Sequence, residues 1–144
     1  LACDLRLASM AASFAVPEVT LGTICGAGGT QRLPRLIGET RAKEMLYTGR
    51  RITAETAREW GLVNGVFTAG SLLEETLNLA EEIAQNSPYA VTRAKRSING
   101  GREMLLEEAL EWERSLFCEC GESRDRKEGM TAFLEKRPRI FTGE

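Results

Sequence analysis

At 144 residues the chain has the length of one compact domain, able to bury roughly two thirds of its unfolded surface. Its 42% hydrophobic and 28% charged residues exclude a disordered chain, and no apolar run nears the ~20 residues of a membrane span. With 19 basic against 21 acidic residues there is no positive field to gather nucleic acid, so neither a nucleic-acid nor a membrane partner is expected. Histidine is absent, which removes every nucleophile system that relies on imidazole. Cys3, Cys25, Cys118 and Cys120 form no C-x-x-C pair, so no metal site is expected and reduced thiols are the simplest reading. The chain opens on Leu1-Ala2-Cys3-Asp4-Leu5, without methionine or the charged leader of a signal peptide, and is expected to have been cut at its start.

In chain order, the short apolar runs at Leu5, Leu7 and Phe14-Ala15-Val16 predict a small β layer. Four glycines between Gly22 and Gly29 predict a loop feeding a helix that starts at Thr30, with Pro34 distorting it or lying in its first turn. A second helix fits Thr40–Tyr47 and stops at Gly49. A third fits Ala54–Trp60, with Thr53 as N-cap and Gly61 as stop. Leu62-Val63 and Val66-Phe67 read as a further strand. After Ser71 the pattern is helical throughout. Leu73, Leu77, Ala80 and Ala84 form one stripe, and Val91, Ala94 and Ile98 another, in a helix capped by Ser87 with Pro88 first. Leu105, Ala109, Trp112 and Leu116 run beside Leu106, Leu110 and Phe117, a face broad enough for packing on two sides, within the subunit or against a neighbour. A last helix starts near Ser123, carries Met130, Phe133 and Leu134, and is ended by Pro138. The expected organisation is α/β over residues 1–70 and all-α over 71–144.

Glu18 is the carboxylate of interest. It follows Pro17, stands between Val16 and Val19, and has no charged partner nearby in sequence. An apolar setting disfavours the charged form of a carboxyl and suits it to proton transfer, although the local sequence also fits an ordinary solvated acid. Gly26–Gly29 can offer bare N–H groups at a helix start, or can be a plain turn; the loop matches neither GxxxxGK[ST] nor GxGxxG. The basic clusters at Arg50-Arg51, Arg93 with Lys95-Arg96, and Lys136-Arg137-Pro138-Arg139 read as solvated faces. The last, beside Phe141, is the one able to hold a phosphate-bearing ligand.

The segments LACDLRLAS, FAVPEVTLG, GAGGTQRLPRLIG, AKEMLYTGRRITAETAREWGLVN and KEGMTAFLEKR, in this order, resemble the enoyl-CoA hydratase/isomerase (crotonase) family across the whole chain. The resemblance implies the C-terminal part of a spiral of ββα turns, residues 1–70, carrying part of the active site. It implies an all-α oligomerisation region, residues 71–144, that builds trimers often paired into hexamers. The implied activity is a hydratase-type lyase adding water to a trans-2-enoyl-CoA in fatty-acid or acyl-CoA metabolism, with no cofactor beyond the coenzyme A of the substrate. It would be cytoplasmic in a bacterium or in the mitochondrial matrix of a eukaryote. Alternatives are an isomerase of the same family and a non-catalytic oligomerisation module. By resemblance Glu18 is one of two catalytic glutamates, Gly26 supplies an N–H to the attacking water, and Lys136 reaches coenzyme A phosphates. Cys25 stands where many relatives have proline and is expected to loosen the turn. The other glutamate and both oxyanion donors belong to a half upstream of the LACD segment. Residues 1–144 by themselves are therefore expected to be inactive and to need that half as a partner.

Overall fold

The computed structural model describes residues 1–144, which divide into two compact units, Leu1–Leu77 and Asn78–Glu144. The first holds four short strands, β1 (Leu7–Ser9), β2 (Ser13–Phe14), β3 (Ile52–Thr53) and β4 (Gly65–Phe67). β1 pairs in parallel with β4, Leu7 opposite Gly65, and β2 pairs antiparallel with β3, Phe14 opposite Ile52. The chain before β1 is stitched to the same region. Arg6 donates from its backbone N–H to Asn64 Oδ1 at 2.9 Å and from Nε to the Leu62 carbonyl at 2.7 Å.

Between the strands lie a 3₁₀ segment, Pro17–Leu21, and the helices α1 (Gly29–Ile37), α2 (Glu39–Thr48) and α3 (Ala54–Glu59). Pro34 lies in the interior of α1 rather than in its first turn, so the helix forgoes the bond its N–H would have made. α2 ends at Gly49, whose φ of 64° places it in the left-handed region that favours glycine. Thr53 caps α3, its Oγ1 accepting the Thr56 N–H at 3.2 Å, as the sequence predicts.

Leu62-Val63 is not a strand. The two residues turn inward after α3, their N–H groups both bound to the Ala57 carbonyl, and complete a core with Ala8, Leu33, Ile37, Ala42, Met45 and Ile52. Burial rather than pairing is what their apolar side chains encode. Leu5 and Ala15-Val16 likewise lie outside the strands.

α4 (Leu72–Ala84) begins in the first unit and ends in the second, which also contains α5 (Pro88–Gly101), α6 (Leu106–Glu122) and α7 (Arg124–Glu135). α5 packs on α6 through Gly100, where a Cβ would come within 2.7 Å of Trp112 Nε1, and Trp112 Nε1 donates to the Arg96 carbonyl at 3.2 Å. Of the broad face read on α6 only Leu116 is buried; Leu106 and Phe117 are 74% and 73% exposed. α4 and α5 bury none of their residues, leaving Leu73, Leu77 and Ile98 exposed. α7 stops at Glu135, ahead of Pro138, because Lys136 adopts a left-handed backbone conformation and the Arg137 N–H returns to the Ala132 carbonyl at 3.0 Å. No helix is long and apolar enough to cross a membrane.

Leu33, 2% exposed at the centre of the first core, is its largest aliphatic anchor on α1. Leu33→Ala is expected to cost about 2–5 kcal/mol by urea unfolding. A loss below about 1 kcal/mol would show that α1 is not held through this residue.

Candidate active site

The residues that could carry chemistry in the first unit lie on one stretch, from Pro17 to the first turn of α1. Pro17 opens the 3₁₀ segment, which suits its fixed φ, and Thr20 Oγ1 donates back to the Pro17 carbonyl at 2.8 Å. At the other end the Thr23 N–H donates to the Glu18 carbonyl at 3.2 Å. The C-terminus of α2 closes on this segment. A Cβ at Gly49 would stand 3.0 Å from Thr20 Cγ2 and 3.3 Å from Pro17 Cα, so the turn and the helix end fit only because position 49 carries no side chain.

Glu18 is half-buried on this turn, and its Oε2 is enclosed without a hydrogen-bond partner. A buried polar atom left unpaired costs about 1–3 kcal/mol, more when charged, so native chains rarely keep one without a use for it. Chemically, the oxygen is placed to accept a proton from, or return one to, a group brought against it.

Beyond Gly22 the glycine loop is pinned by Cys25. Its thiol is 8% exposed and fills the space beside Gly29, where a Cβ would lie 2.6 Å from Sγ. Cysteine in place of proline is expected to loosen the turn; instead its burial ties the loop to α1. Gly26 is exposed, a Cβ there would meet nothing within 4 Å, and its N–H finds no acceptor within the chain. The fold itself makes no steric demand for glycine at 26, and the N–H is available to an oxygen from outside.

Arg32 was not singled out by the sequence. Its Nη1 donates to the Ala27 carbonyl at 2.9 Å and holds the loop from one turn inside α1. The signal was a cation near a helix N-terminus, where the macrodipole disfavours it, so that another partner had to hold it.

Lys136 lies in the second unit, exposed, at the end of α7. Glu18 and Gly26 are thus brought onto one stretch of the first unit, and Lys136 belongs to the other. Lys136 is the chain's one non-glycine residue of positive φ, at 53° with ψ 39°, a geometry that costs a side-chain-bearing residue roughly 1–2 kcal/mol.

The neighbouring arginines are already engaged. Arg137 grips Glu128 with two bonds, of 2.6 and 2.8 Å, and donates from Nε to Glu135 at 2.7 Å. Arg139 donates to Asn86 Oδ1 at 3.0 Å and stands over the Phe141 ring. The terminal basic cluster is therefore not a free patch of arginine. Arg50 pairs with Glu44, while Arg93 and Arg96 share Glu119.

No motif in the sequence marks Asp125. Only 2% exposed, it accepts from Ser87 Oγ at 2.5 Å and from the N–H groups of Thr142 at 2.8 Å and Gly143 at 3.1 Å. Burial pushes its carboxyl up, but these donors outweigh burial and hold it below its ordinary value. The available signal was a carboxylate two residues after the helix cap Ser123, where a helix N-terminus favours negative charge. No group of three or more Cys, Asp or Glu residues is arranged to hold a metal ion.

The first unit thus combines two small two-stranded sheets and helices with an enclosed, unpaired Glu18 Oε2 and an open Gly26 N–H shortly before α1. The sequence model of the enoyl-CoA hydratase/isomerase family matches residues 1–144, and the chain belongs to that family. It is 48% identical over 139 residues to the mitochondrial enoyl-CoA hydratase of Pongo abelii, covering 96% of this chain and 48% of that protein. It is 43% identical over 143 residues to the 2,3-dehydroadipyl-CoA hydratase of Escherichia coli, covering 99% of this chain and 56% of that one. The crystal structure of an enoyl-CoA hydratase from Bacillus anthracis superposes with a TM-score of 0.96 at 48% identity, over 99% of this chain and 55% of that one. The chain thus spans about half the length of the curated relatives it matches, and the likeness includes the crotonase-type fold of the C-terminal part.

Glu128 is held down to about 2 from an ordinary 4.5, first by Arg137 and then by the Ile140 N–H. A carboxyl depressed in the folded state stabilises fully above its unfolded value and loses that contribution as pH falls through the folded one. The stability lost in Glu128→Gln should therefore be constant from pH 6 to 8 and shrink between about pH 4.5 and 2, read from urea midpoints. A gap that stays constant down to pH 2 would show that the ionised carboxylate contributes nothing.

Proposed function

We propose that this chain supplies one of the two catalytic carboxylates of an enoyl-CoA hydratase. The reaction adds water across a trans-2-enoyl-CoA thioester, its oxygen to C3 and a proton to C2. The observation that carries the reading is Glu18 Oε2, buried and unpaired a few residues ahead of a loop whose Gly26 N–H is open. In this reading Glu18 shares water activation and proton delivery with the family's other glutamate, and the Gly26 N–H orients the attacking water. A Glu–Glu system suits a chain with no histidine. Hydration moves no net electrons, so the reaction calls for no redox cofactor; coenzyme A enters as part of the substrate.

Lys136 is read as a contact to coenzyme A phosphates, its ammonium a point charge on a flexible stem. The exposed apolar residues of α6 and its cap, Leu105, Leu106 and Phe117, support assembly into trimers or hexamers, since exposed apolar surface of this extent seeks a partner. A place in fatty-acid β-oxidation is the natural setting. The location would be the bacterial cytoplasm or the mitochondrial matrix, given relatives named from both bacteria and mitochondria.

The test places residues 1–144 in the Bacillus anthracis enoyl-CoA hydratase in place of the segment they match. In this full-length chimera Glu18→Gln should retain coenzyme A binding and lower turnover of crotonyl-CoA by about 10²–10⁴-fold, because acid/base capacity is lost while shape is kept. Hydration near the parent rate would remove Glu18 from the mechanism. Residues 1–144 assayed by themselves should show no loss of enoyl-thioester absorbance, since one oxyanion donor alone can be worth about 2.7–4 kcal/mol and the family's donors lie elsewhere. Turnover by the 144 residues that Glu18→Gln abolishes would show that this carboxylate and the Gly26 loop suffice.

A further inference from the structure

α7 and the segment after it form a hairpin with Lys136 at its apex. The helix runs out to Glu135, the backbone reverses through the left-handed Lys136, and residues 137–144 return alongside the helix. Two carboxylates of α7, three residues apart and hence on neighbouring positions of one helix face, fasten the returning strand. Glu128 takes Arg137 in its two-bonded grip and accepts the Ile140 N–H at 2.9 Å. Asp125 takes the N–H groups of Thr142 and Gly143, and its own N–H donates to the Glu144 carbonyl at 2.9 Å. Ser87, the cap of α5, adds its hydroxyl to Asp125, so the fastening is anchored outside the hairpin as well.

Glycine is the usual residue at the position Lys136 occupies, because a left-handed backbone crowds a Cβ. Strained backbone of this kind persists only where its surroundings over-determine it, and it concentrates at functional positions. Here the surroundings are the two carboxylate fastenings. They also decide which cation is free: Glu128 and Glu135 occupy Arg137, while the neighbouring Lys136 side chain stays exposed.

We infer that Glu128 is a positioning residue for Lys136, fixing the apex so that the ammonium, and not the adjacent guanidinium, is presented to the phosphates of the coenzyme A moiety. This rests on the reading of Lys136 as a phosphate contact and adds the device that aims it. Arg137→Ala would not improve the site, because Arg137 is part of the fastening rather than a competing ligand.

A double-mutant cycle in the full-length chimera, read as coenzyme A affinity by titration calorimetry at fixed salt, tests the inference. Lys136→Ala should weaken binding about tenfold, the scale of one charge-assisted contact at an exposed site. Glu128→Gln should weaken it about fivefold when Lys136 is present and less than about twofold when residue 136 is alanine. Unchanged affinity in Lys136→Ala would overturn the phosphate reading and the inference with it. A loss on Lys136→Ala combined with an equal effect of Glu128→Gln in both backgrounds would leave the phosphate reading standing and overturn the positioning role. Lys136→Gly keeps the test decisive if Glu128→Gln folds poorly. It should raise the melting temperature while losing affinity as the alanine variant does, and a lowered melting temperature would show that the apex carries no strain to relieve.

Discussion

The closure of α2 on the 3₁₀ turn is the contact on which the candidate site depends. Gly49 ends the helix in a left-handed conformation, and a Cβ there would stand 3.3 Å from Pro17 Cα, so the helix end lies close against the turn bearing Glu18. Met45 and Ala42 on the same helix are buried in the first core, so the helix end against which the turn lies is itself anchored there. On this turn Glu18 Oε2 is enclosed without a hydrogen-bond partner, and the proposed proton transfer would make use of that oxygen.

The glycine loop follows the same economy. Cys25 is buried against Gly29 and Arg32 holds the Ala27 carbonyl, so both sides of the loop are fastened while Gly26 stays open between them. With its neighbours fastened, the Gly26 N–H is left without an acceptor in the chain, free to take one from outside in the proposed reaction. In the second unit the fastening is ionic and hydrogen-bonded instead of packed: Asp125 and Glu128 gather donors from the returning segment, and only Leu116, Ser123, Asp125 and Ala132 of α6 and α7 with their cap are buried. The apolar side chains of Leu106, Leu110 and Phe117 stay uncovered there, which is the surface the proposed assembly would use.

Much of this was legible in the residues. Helix limits marked by Gly49, Thr53, Ser87 and Pro88 could be read because caps and stops are local chemistry. Glu18 and Gly26 were singled out through the resemblance of FAVPE and GAGG, not through composition, and their roles remain part of the proposal. Leu62-Val63 was misread as a strand because an apolar pair encodes burial, and burial alone does not distinguish a strand from an inward turn. Arg32 stayed hidden because its partner is a main-chain carbonyl, which no sequence pattern names, and Asp125 because its donors lie 17, 18 and 38 residues away. The fate of the terminal arginines was hidden because their partners are distant in sequence: Arg137 reaches back nine residues to the Glu128 carboxylate.

The central claim is that the Glu18 carboxyl moves a proton at the substrate's C2. The most direct measurement is deuterium incorporation at C2 of the 3-hydroxyacyl-CoA product by the full-length chimera in heavy water, followed by mass spectrometry at matched coenzyme A saturation. The account predicts that the parent chimera incorporates deuterium and that Glu18→Gln binds the thioester but incorporates it at least about a hundredfold more slowly. Incorporation by Glu18→Gln at the parent rate would contradict it.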